Sequence, residues 1–402
     1  MHSTTISRPT DVLQRAILTA ALVALALFLG AATAHGETVV KIGVISDLSG
    51  PTSTVGVPYG EGVMDAVKYI NESGFIPDVT IDAMQVDYAY NVQQALSAYK
   101  KFKSQGMVAL QGWGSGDTEA LVSFVARDEI PVISASYSAH LTDPEKAPYN
   151  FFVAADYSTQ LRGALKYIKE NLATTDAPKI AFIYPDNPYG LAPIAAGKEY
   201  AEELGFDIVG EENVSLKAMD ATTQLLALQK AEPEFIWIGG TTPSTAVIMK
   251  DAAKLGMKAT FFTDIWGADE NIFKLAPEAS TGNISLQTSV TYDDDSEGNT
   301  LIRKLTNDEH KMVHYIRGFA SMYVMAEAIR RAAEQGDITG PAIKDALESL
   351  RDFDPLGLTP PISFFPDDHR PNMAVTLYRL EDGKFVTLGT ETLERKKEWL
   401  GK

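Results

Sequence analysis

Residues 39–49 read VVKIGVISDLS, and residues 59–74 read YGEGVMDAVKYINESG. The first run is an apolar strand that ends in polar residues. In the second run Val63, Ala66, Val67 and Ile70 recur at helical spacing, so they lie on one face of a helix. The two runs together predict a strand, a loop and a helix, the unit from which parallel sheets are built.

The same order of strand, loop and helix recurs along most of the chain. Apolar runs that precede helical stretches read VTIDAMQVD at residues 79–87, MVALQGWG at 107–114, PVISASYS at 131–138, FDIVGEENV at 206–214, EFIWIGG at 234–240 and ATFFTDIW at 259–266. A longer helix is predicted over residues 315–331, and a final strand pair is predicted around the turn Glu381-Asp382-Gly383. Alternating strands and helices predict an α/β fold with parallel sheets covered on both faces.

The sequence pattern of residues 41–47 recurs near the middle of the chain, at residues 179–186. Residues 179–186 read KIAFIYPD and repeat the spacing of KIGVISD at residues 41–47, and Tyr189-Gly190 echoes Tyr59-Gly60. The repeat is typical of two halves built on one plan. The alternative is that short apolar strands resemble one another by composition alone.

Length and composition favour two domains in an exported protein. The chain has 402 residues, of which 45% are hydrophobic, enough for two cores. Arg8 and Arg15 precede an apolar run at residues 16–30, and Ala-Thr-Ala follows at residues 32–34. This is the plan of a secretory signal peptide, so we expect residues 1–34 to be cleaved and the protein to be periplasmic. An uncleaved membrane anchor is the alternative.

Cysteine content and charge exclude several classes of function. The chain has no cysteine, which excludes thiol catalysis, disulfides and a lipid-modified cysteine anchor. Its net charge is −18, and removal of Arg8, Asp11 and Arg15 with the signal peptide makes it −19. A surface this acidic repels nucleic acid and anionic lipid.

The loops at the strand ends are the predicted ligand site. In open α/β sheets, ligands bind outside the carboxyl ends of the strands. The loops in question span residues 46–54, 110–118, 134–138, 185–189, 239–244 and 263–267. If the two halves face each other, these loops line one cleft.

Four other chemistries fit these residues poorly. Gly112, Gly114 and Gly116 do not have the spacing of a dinucleotide-binding loop, and no Gly-Lys-Ser/Thr triplet exists. A serine hydrolase using Ser115 would need glycine where Trp113 stands. A metal site is also unsupported, because His310 and His314 have i, i+4 spacing without the glutamate of a zinc motif, and we expect both to be exposed. Residues 293–298 imitate a calcium loop, but Lys304 stands where a glutamate ligand belongs, so an acidic turn is expected.

A carboxylate-binding pocket remains as the prediction. Ser115 opens a helix whose first N–H groups can bind an anion, and Ser136 and Ser138 add hydroxyl donors. Aromatic side chains cluster at other strand ends, namely Trp113, Tyr137, Tyr189 and Trp266. Apolar walls with a few polar groups are typical of small-molecule sites, although core packing is an equal alternative for any single ring.

From about residue 40 to residue 380 the chain resembles periplasmic solute-binding proteins of the branched-chain amino-acid type. The resemblance is carried in order by KIGVISDLSGP, YGEGVMDAVKYIN, IPVISASYS, KIAFIYPDNPYG, WIGG and HYIRGFASMYVMAEAI. It implies two doubly wound parallel-sheet lobes joined by three crossovers, with residues 37–155 plus 288–366 in lobe 1 and residues 156–287 plus 367–402 in lobe 2. It also implies a monomer without a cofactor, which closes on a small carboxylate and delivers it to the permease of an ABC importer.

The resemblance also assigns binding roles to single residues. Ser115, Ser136, Tyr137 and Ser138 match the positions that bind the ligand's carboxylate, and Tyr189 matches a tyrosine that contacts the ligand. Where the family places an acid for the ligand's amine, this chain has Ile265, with Asp264 and Trp266 on either side.

These departures bear on the ligand. If Asp264 does not reach the cleft, the ligand should lack an amine, since a buried ammonium without an anion is costly. Val55 replaces a larger aromatic of the family and leaves room, and Trp113, Tyr137 and Trp266 would suit an aromatic acid. Arg317 is expected at the surface, and a second contact to the ligand's carboxylate is the alternative. A sensor module and a serine hydrolase using Ser115 or Ser136 are the alternative functions.

Overall fold

The computed structural model describes residues 38–402. The predicted signal peptide, residues 1–34, lies outside the described residues. Within residues 38–402, no helix is both long enough and apolar enough to cross a membrane.

The first sheet has five strands in the order β2-β1-β3-β4-β5. Its strands are β1 Thr38–Ser46, β2 Val79–Asp87, β3 Ala109–Gly112, β4 Val132–Ser134 and β5 Asn150–Phe151, and the helices among them are α1 Ser53–Ser73, α2 Val92–Ser104 and α3 Ser115–Asp128. β3 pairs in parallel with β1 and β4, and β4 pairs in parallel with β5. The strand-loop-helix units predicted from the sequence therefore form a parallel sheet.

The second sheet has seven strands in the order β12-β11-β10-β9-β8-β6-β7. Its strands are β6 Lys179–Tyr184, β7 Asp207–Asn213, β8 Phe235–Ile238, β9 Thr260–Thr263, β10 Ile284–Gln287, β11 Ala374–Glu381 and β12 Lys384–Thr392. The helices before and between β6 and β10 are α4 Tyr157–Tyr167, α5 Pro188–Leu191, α6 Ile194–Glu203, α7 Thr222–Gln229, α8 Thr242–Lys254 and α9 Ile272–Leu275. The strands from β6 to β10 are parallel, and β11 and β12 form the predicted antiparallel pair.

Three more helices follow the second sheet's parallel part. They are α10 Glu297–Leu305, α11 Val313–Glu334 and α12 Gly340–Glu348. α11 packs against α1, and its apolar residues share one core with the strands of the first sheet. The chain thus passes between the sheets three times, after β5, after β10 and before β11. The residue limits of the two lobes stay a prediction.

α1 and α11 approach each other closely through two glycines. A Cβ added to Gly62 would lie 2.0 Å from the Tyr315 carbonyl oxygen, and one added to Gly318 would lie 2.0 Å from the Tyr59 carbonyl oxygen. A side chain at either position would separate the helices, because these neighbours are backbone atoms that cannot rotate away. The N-terminal part of α11 is thereby fixed against α1.

We expect Gly318→Ala to lower the free energy of unfolding by about 1–3 kcal/mol, the usual cost of overpacking. Urea denaturation measures this loss. The control is Gly116→Ala in α3, where an added Cβ would lie 3.6 Å from the nearest atoms. Equal losses in both variants would contradict the explanation by helix crossing.

Candidate functional site

A small cavity of about 30 Å³ lies at the carboxyl ends of both sheets. Each lining residue lies in or near the segment that follows a strand, which is the predicted placement for this fold. The lining residues are Thr52, Val55, Tyr90, Trp113, Gly114, Ser115, Ala135, Tyr157, Tyr189, Thr241 and Trp266. The structure therefore brings Trp113, Ser115, Tyr189 and Trp266 of the sequence-predicted set to one cavity.

Three serines form a buried cluster at this cavity. The Ser115 and Ser136 hydroxyl oxygens are 2.8 Å apart, and the Ser138 hydroxyl donates to Ser115 at 3.4 Å. Ser115 is the first residue of α3, where the N–H groups have no intrahelical acceptor and the helix dipole is positive. Hydroxyls and N–H groups that converge in this way can hold a carboxylate.

Asp117 lies in the first turn of the same helix. Its carboxylate accepts hydrogen bonds from the Tyr88 hydroxyl at 2.7 Å and from the Gly114 N–H at 3.2 Å. Burial raises the pKa of Asp117 to about 7. At and below that pH the protonated form reduces repulsion of an anion bound at Ser115.

The two indoles at the cavity use their polar atoms on the protein. Trp113 Nε1 donates to Thr52 Oγ1 at 2.9 Å, and the Thr52 hydroxyl donates to Asp47 at 2.6 Å. Trp266 Nε1 donates to the Tyr157 hydroxyl at 2.9 Å. The ring centroids of Trp113 and Trp266 are 5.4 Å apart. Since their N–H groups are satisfied, the indoles offer the cavity apolar surface.

Tyr137 supports Trp266 and is not among the lining residues. Its ring stacks on the Trp266 indole with centroids 5.8 Å apart and an interplanar angle of 13°. Ser136 and Ser138 also lie behind the lining and reach the site through Ser115.

Tyr189 and Asp264 form a pair at the second sheet's side of the cavity. The Tyr189 hydroxyl oxygen lies 2.6 Å from Asp264 Oδ2 and 2.8 Å from the Gly240 carbonyl oxygen. Asp264 Oδ1 accepts the N–H groups of Trp266 and Gly267 at 3.1 and 3.0 Å. Asp264 is buried and does not line the cavity, so its oxygens are occupied by the protein.

Comparison with known proteins assigns the family. The family model described as periplasmic binding protein matches residues 39–384. The chain belongs to the periplasmic binding protein family. The prediction of family and fold class from the sequence is confirmed.

Relatives of this periplasmic binding protein are solute-binding proteins. A substrate-binding protein of an ABC transporter from Aeropyrum pernix is 30% identical, with 90% of this chain and 98% of that chain covered and a TM-score of 0.84. A branched-chain amino-acid ABC transporter protein from Thermus thermophilus with bound valine is 25% identical, over 89% of this chain and 97% of that chain, with a TM-score of 0.84. The leucine-, isoleucine-, valine-, threonine- and alanine-binding protein of Pseudomonas aeruginosa is 21% identical over 299 residues, 73% of this chain and 79% of the relative.

The expectation that Arg317 lies at the surface is wrong. Arg317 is 1% exposed, and its guanidinium lies 5.1 Å from the Trp266 ring centroid. It donates to the Ile265 carbonyl at 2.7 Å, to Ser289 at 3.2 Å and to Gln287. It is not among the lining residues, so in this periplasmic binding protein it braces the cavity wall from behind.

The expectation that both histidines are exposed is wrong for His314. His310 lies before α11 with 52% of its side chain exposed, whereas His314 is fully buried and stacks on Trp266 at 5.3 Å. Arg317 has only donors, so its 3.1 Å contact makes His314 Nδ1 an acceptor and Nε2 the donor to Asp269 at 3.1 Å. Burial lowers the pKa of His314 and keeps it neutral. The physical reason for both corrections is that α11 is buried on every side from residue 313 to residue 329.

Some lining residues were not predicted as site residues. Thr52 and Thr241 lie in loops that the sequence places at the cleft, so position alone could have found them. Tyr157 opens the helix after the first passage between the sheets. Tyr90 reaches the cavity from a loop in which Ala89 and Tyr90 have φ of 51° and 56°. That left-handed backbone is unusual for these residue types, so no sequence signal pointed to Tyr90.

Proposed function

We propose that this periplasmic binding protein captures a small carboxylate without an amino group, with an aromatic acid as the preferred ligand. The observation that carries the proposal is the contrast between the two ends of one cavity. A serine cluster and a helix N-terminus stand at one side, while the nearby acid, Asp264, is turned into the protein.

The body of the ligand would lie among aromatic rings. Trp113, Trp266, Tyr157 and Tyr189 line the cavity together with Val55. Flat rings stack or pack edge to face in such surroundings. An alkyl acid of similar size would fill the same space with weaker ring contacts.

An ammonium group would find no free counter-ion in this cavity. Asp264 already accepts two N–H groups and contacts Tyr189, and burial raises its pKa to about 7. An amine would have to lose its hydration without gaining a full counter-ion, which costs several kcal/mol. The proposed ligand therefore differs from the amino acids bound by the relatives from Pseudomonas aeruginosa and Thermus thermophilus.

The family membership supports a proposal for the location of the protein and for its membrane partner. We propose that the mature chain is a periplasmic monomer, freed from residues 1–34, that closes on its ligand and presents it to an ABC permease. The protein would bind without covalent chemistry, because the contacts of Ser115 within residues 38–402 are with serine hydroxyls and not with a histidine. The relatives in ABC transporters favour transport over sensing.

The test compares ligands that differ only in the amine. Protein is unfolded and refolded to remove retained ligand, then heated with 3-phenylpropanoate or L-phenylalanine, and with 4-methylpentanoate or L-leucine; benzoate is included as a smaller aromatic acid. We expect the amine-free member of each pair to raise the melting temperature more, because a ligand bound at about 100 times its dissociation constant stabilises by about 2.7 kcal/mol. A larger shift with L-leucine than with 4-methylpentanoate would contradict the proposal.

A further inference from the structure

The Tyr189 hydroxyl makes two short contacts with oxygen atoms, and an ionised Asp264 would leave only one hydrogen for both of them. The Tyr189 hydroxyl oxygen is within hydrogen-bonding distance of two oxygens, Asp264 Oδ2 at 2.6 Å and the Gly240 carbonyl at 2.8 Å. A phenol carries a single hydrogen, and a carboxylate and a carbonyl can only accept. One of these two short contacts would then bring two oxygens together without a hydrogen between them.

The other oxygen of Asp264 limits where an additional proton can lie. Oδ1 accepts the N–H groups of Trp266 and Gly267, so a proton there would face two donors. A proton on Oδ2 satisfies every contact, because Asp264 then donates to Tyr189 and Tyr189 donates to the Gly240 carbonyl. The arrangement is a directed chain of two O–H groups that ends on the backbone of the loop after β8.

We propose that Asp264 carries a proton at neutral pH and is a positioning residue that orients Tyr189, not a counter-ion for the ligand. It acts on specificity, since a neutral acid whose proton points to Tyr189 gives an ammonium no charge to pair with. The consequence for ligand choice rests on the proposed function, whereas the protonation of Asp264 does not.

The surroundings of Asp264 agree with a neutral acid. Burial is the largest influence and raises the pKa of Asp264 to about 7. The titratable and charged groups that face it are Tyr157 and Tyr189 on one side and Arg317 on the other. The charge of Arg317 favours ionisation of Asp264, but it is shared with Asp269 and Glu270.

The raised pKa of Asp264 determines how the free energy of unfolding depends on pH. The pKa of Asp264 is higher in the folded protein than in the unfolded chain, so the folded state holds the proton between about pH 4 and about pH 7. Stability from this group is greatest below that range and is lost as the pH rises through it. Asp117 and Glu270 have raised pKa values of about 7 as well, so only the difference between wild type and a variant at Asp264 isolates this carboxyl.

The decisive variant is Asp264→Asn, because an amide reproduces a protonated acid and cannot act as an anion. Its oxygen can accept the Trp266 and Gly267 N–H groups, and its NH₂ group can donate to Tyr189. We expect benzoate and 3-phenylpropanoate to bind within about threefold of wild type near pH 6. Above about pH 7 we expect the wild type to weaken more steeply than the variant, because Asp117 titrates in both proteins and Asp264 titrates only in the wild type. Asp264→Ala, which leaves Tyr189 without its donor, should lose about tenfold or more in affinity.

Infrared difference spectra test the proton without any ligand. Wild type minus Asp264→Asn, at about pH 6, should contain the carbonyl stretch of a protonated carboxylic acid, and that band should disappear as the pH rises. Absence of the band overturns the proposal, and so does a loss of acid binding in Asp264→Asn equal to that in Asp264→Ala. If no amine-free acid binds the wild type although the band is present, the proposed function fails and the protonation of Asp264 stands.

Discussion

The double substitution Ser115→Ala and Ser136→Ala is expected to weaken benzoate binding by about tenfold or more. Ser115 opens α3 and would donate to the ligand's carboxylate, and Ser136 contacts the Ser115 hydroxyl from behind at 2.8 Å. A hydrogen bond to a charged group contributes about 1.5–3 kcal/mol, and about 1.4 kcal/mol corresponds to a factor of ten in affinity. Isothermal titration calorimetry of the double variant measures the loss directly.

A serine outside the three-serine cluster, Ser280, provides the matched control for this experiment. Ser280 is buried, and its hydroxyl has no hydrogen-bond partner in the described part of the chain. It lies outside the cavity lining, so Ser280→Ala should leave affinity unchanged. Benzoate binding that survives in the double variant would show that the carboxylate binds elsewhere.

Arg317→Met is expected to lower the free energy of unfolding by about 3–5 kcal/mol. The substitution leaves three buried acceptors without their donor, namely the Ile265 carbonyl, Gln287 and the His314 ring nitrogen, and each unsatisfied buried acceptor costs about 1–3 kcal/mol. It also removes the cation behind Trp266. Ligand affinity should therefore fall together with stability, and chemical denaturation and calorimetry measure the two effects.

Two further variants separate this network from a general effect of arginine loss. Arg127 is exposed on α3 and pairs with its neighbour Asp128, so Arg127→Met should cost less than about 1 kcal/mol. Arg317→Lys keeps the charge but not the planar array of donors. We expect it to restore only part of the loss, and full recovery would contradict the role given to the guanidinium geometry.

The fold could be predicted because its signal is repeated in every unit. Short apolar strands ended by polar loops specify parallel strands, and the run at residues 179–186 restates the one at residues 41–47. The final antiparallel pair was predicted because a polar turn, Glu381-Asp382-Gly383, separates two strand-like runs. Each of these signals is local, so a single sequence contains it.

The candidate site could be predicted only where chain position determines it. Ser115 and Tyr189 follow strands directly and therefore reach the strand ends. Arg317 and His314 could not be placed, because a helix that is apolar on every side gives no indication of which face a charged residue occupies. The proposed protonation of Asp264 depends on Tyr189 and on the Gly240 carbonyl, which lie on two other loops. A contact among three loops cannot be predicted from the local sequence of any one of them.

The two indoles of the cavity have an optical consequence. Trp113 follows a strand of the first sheet and Trp266 follows a strand of the second, and their rings are 5.4 Å apart at an interplanar angle of 62°. Neighbouring indoles at an oblique angle couple their excited states, which produces a paired band in circular dichroism. Separation of the sheets would remove that band, so the protein carries its own label-free reporter of cleft geometry.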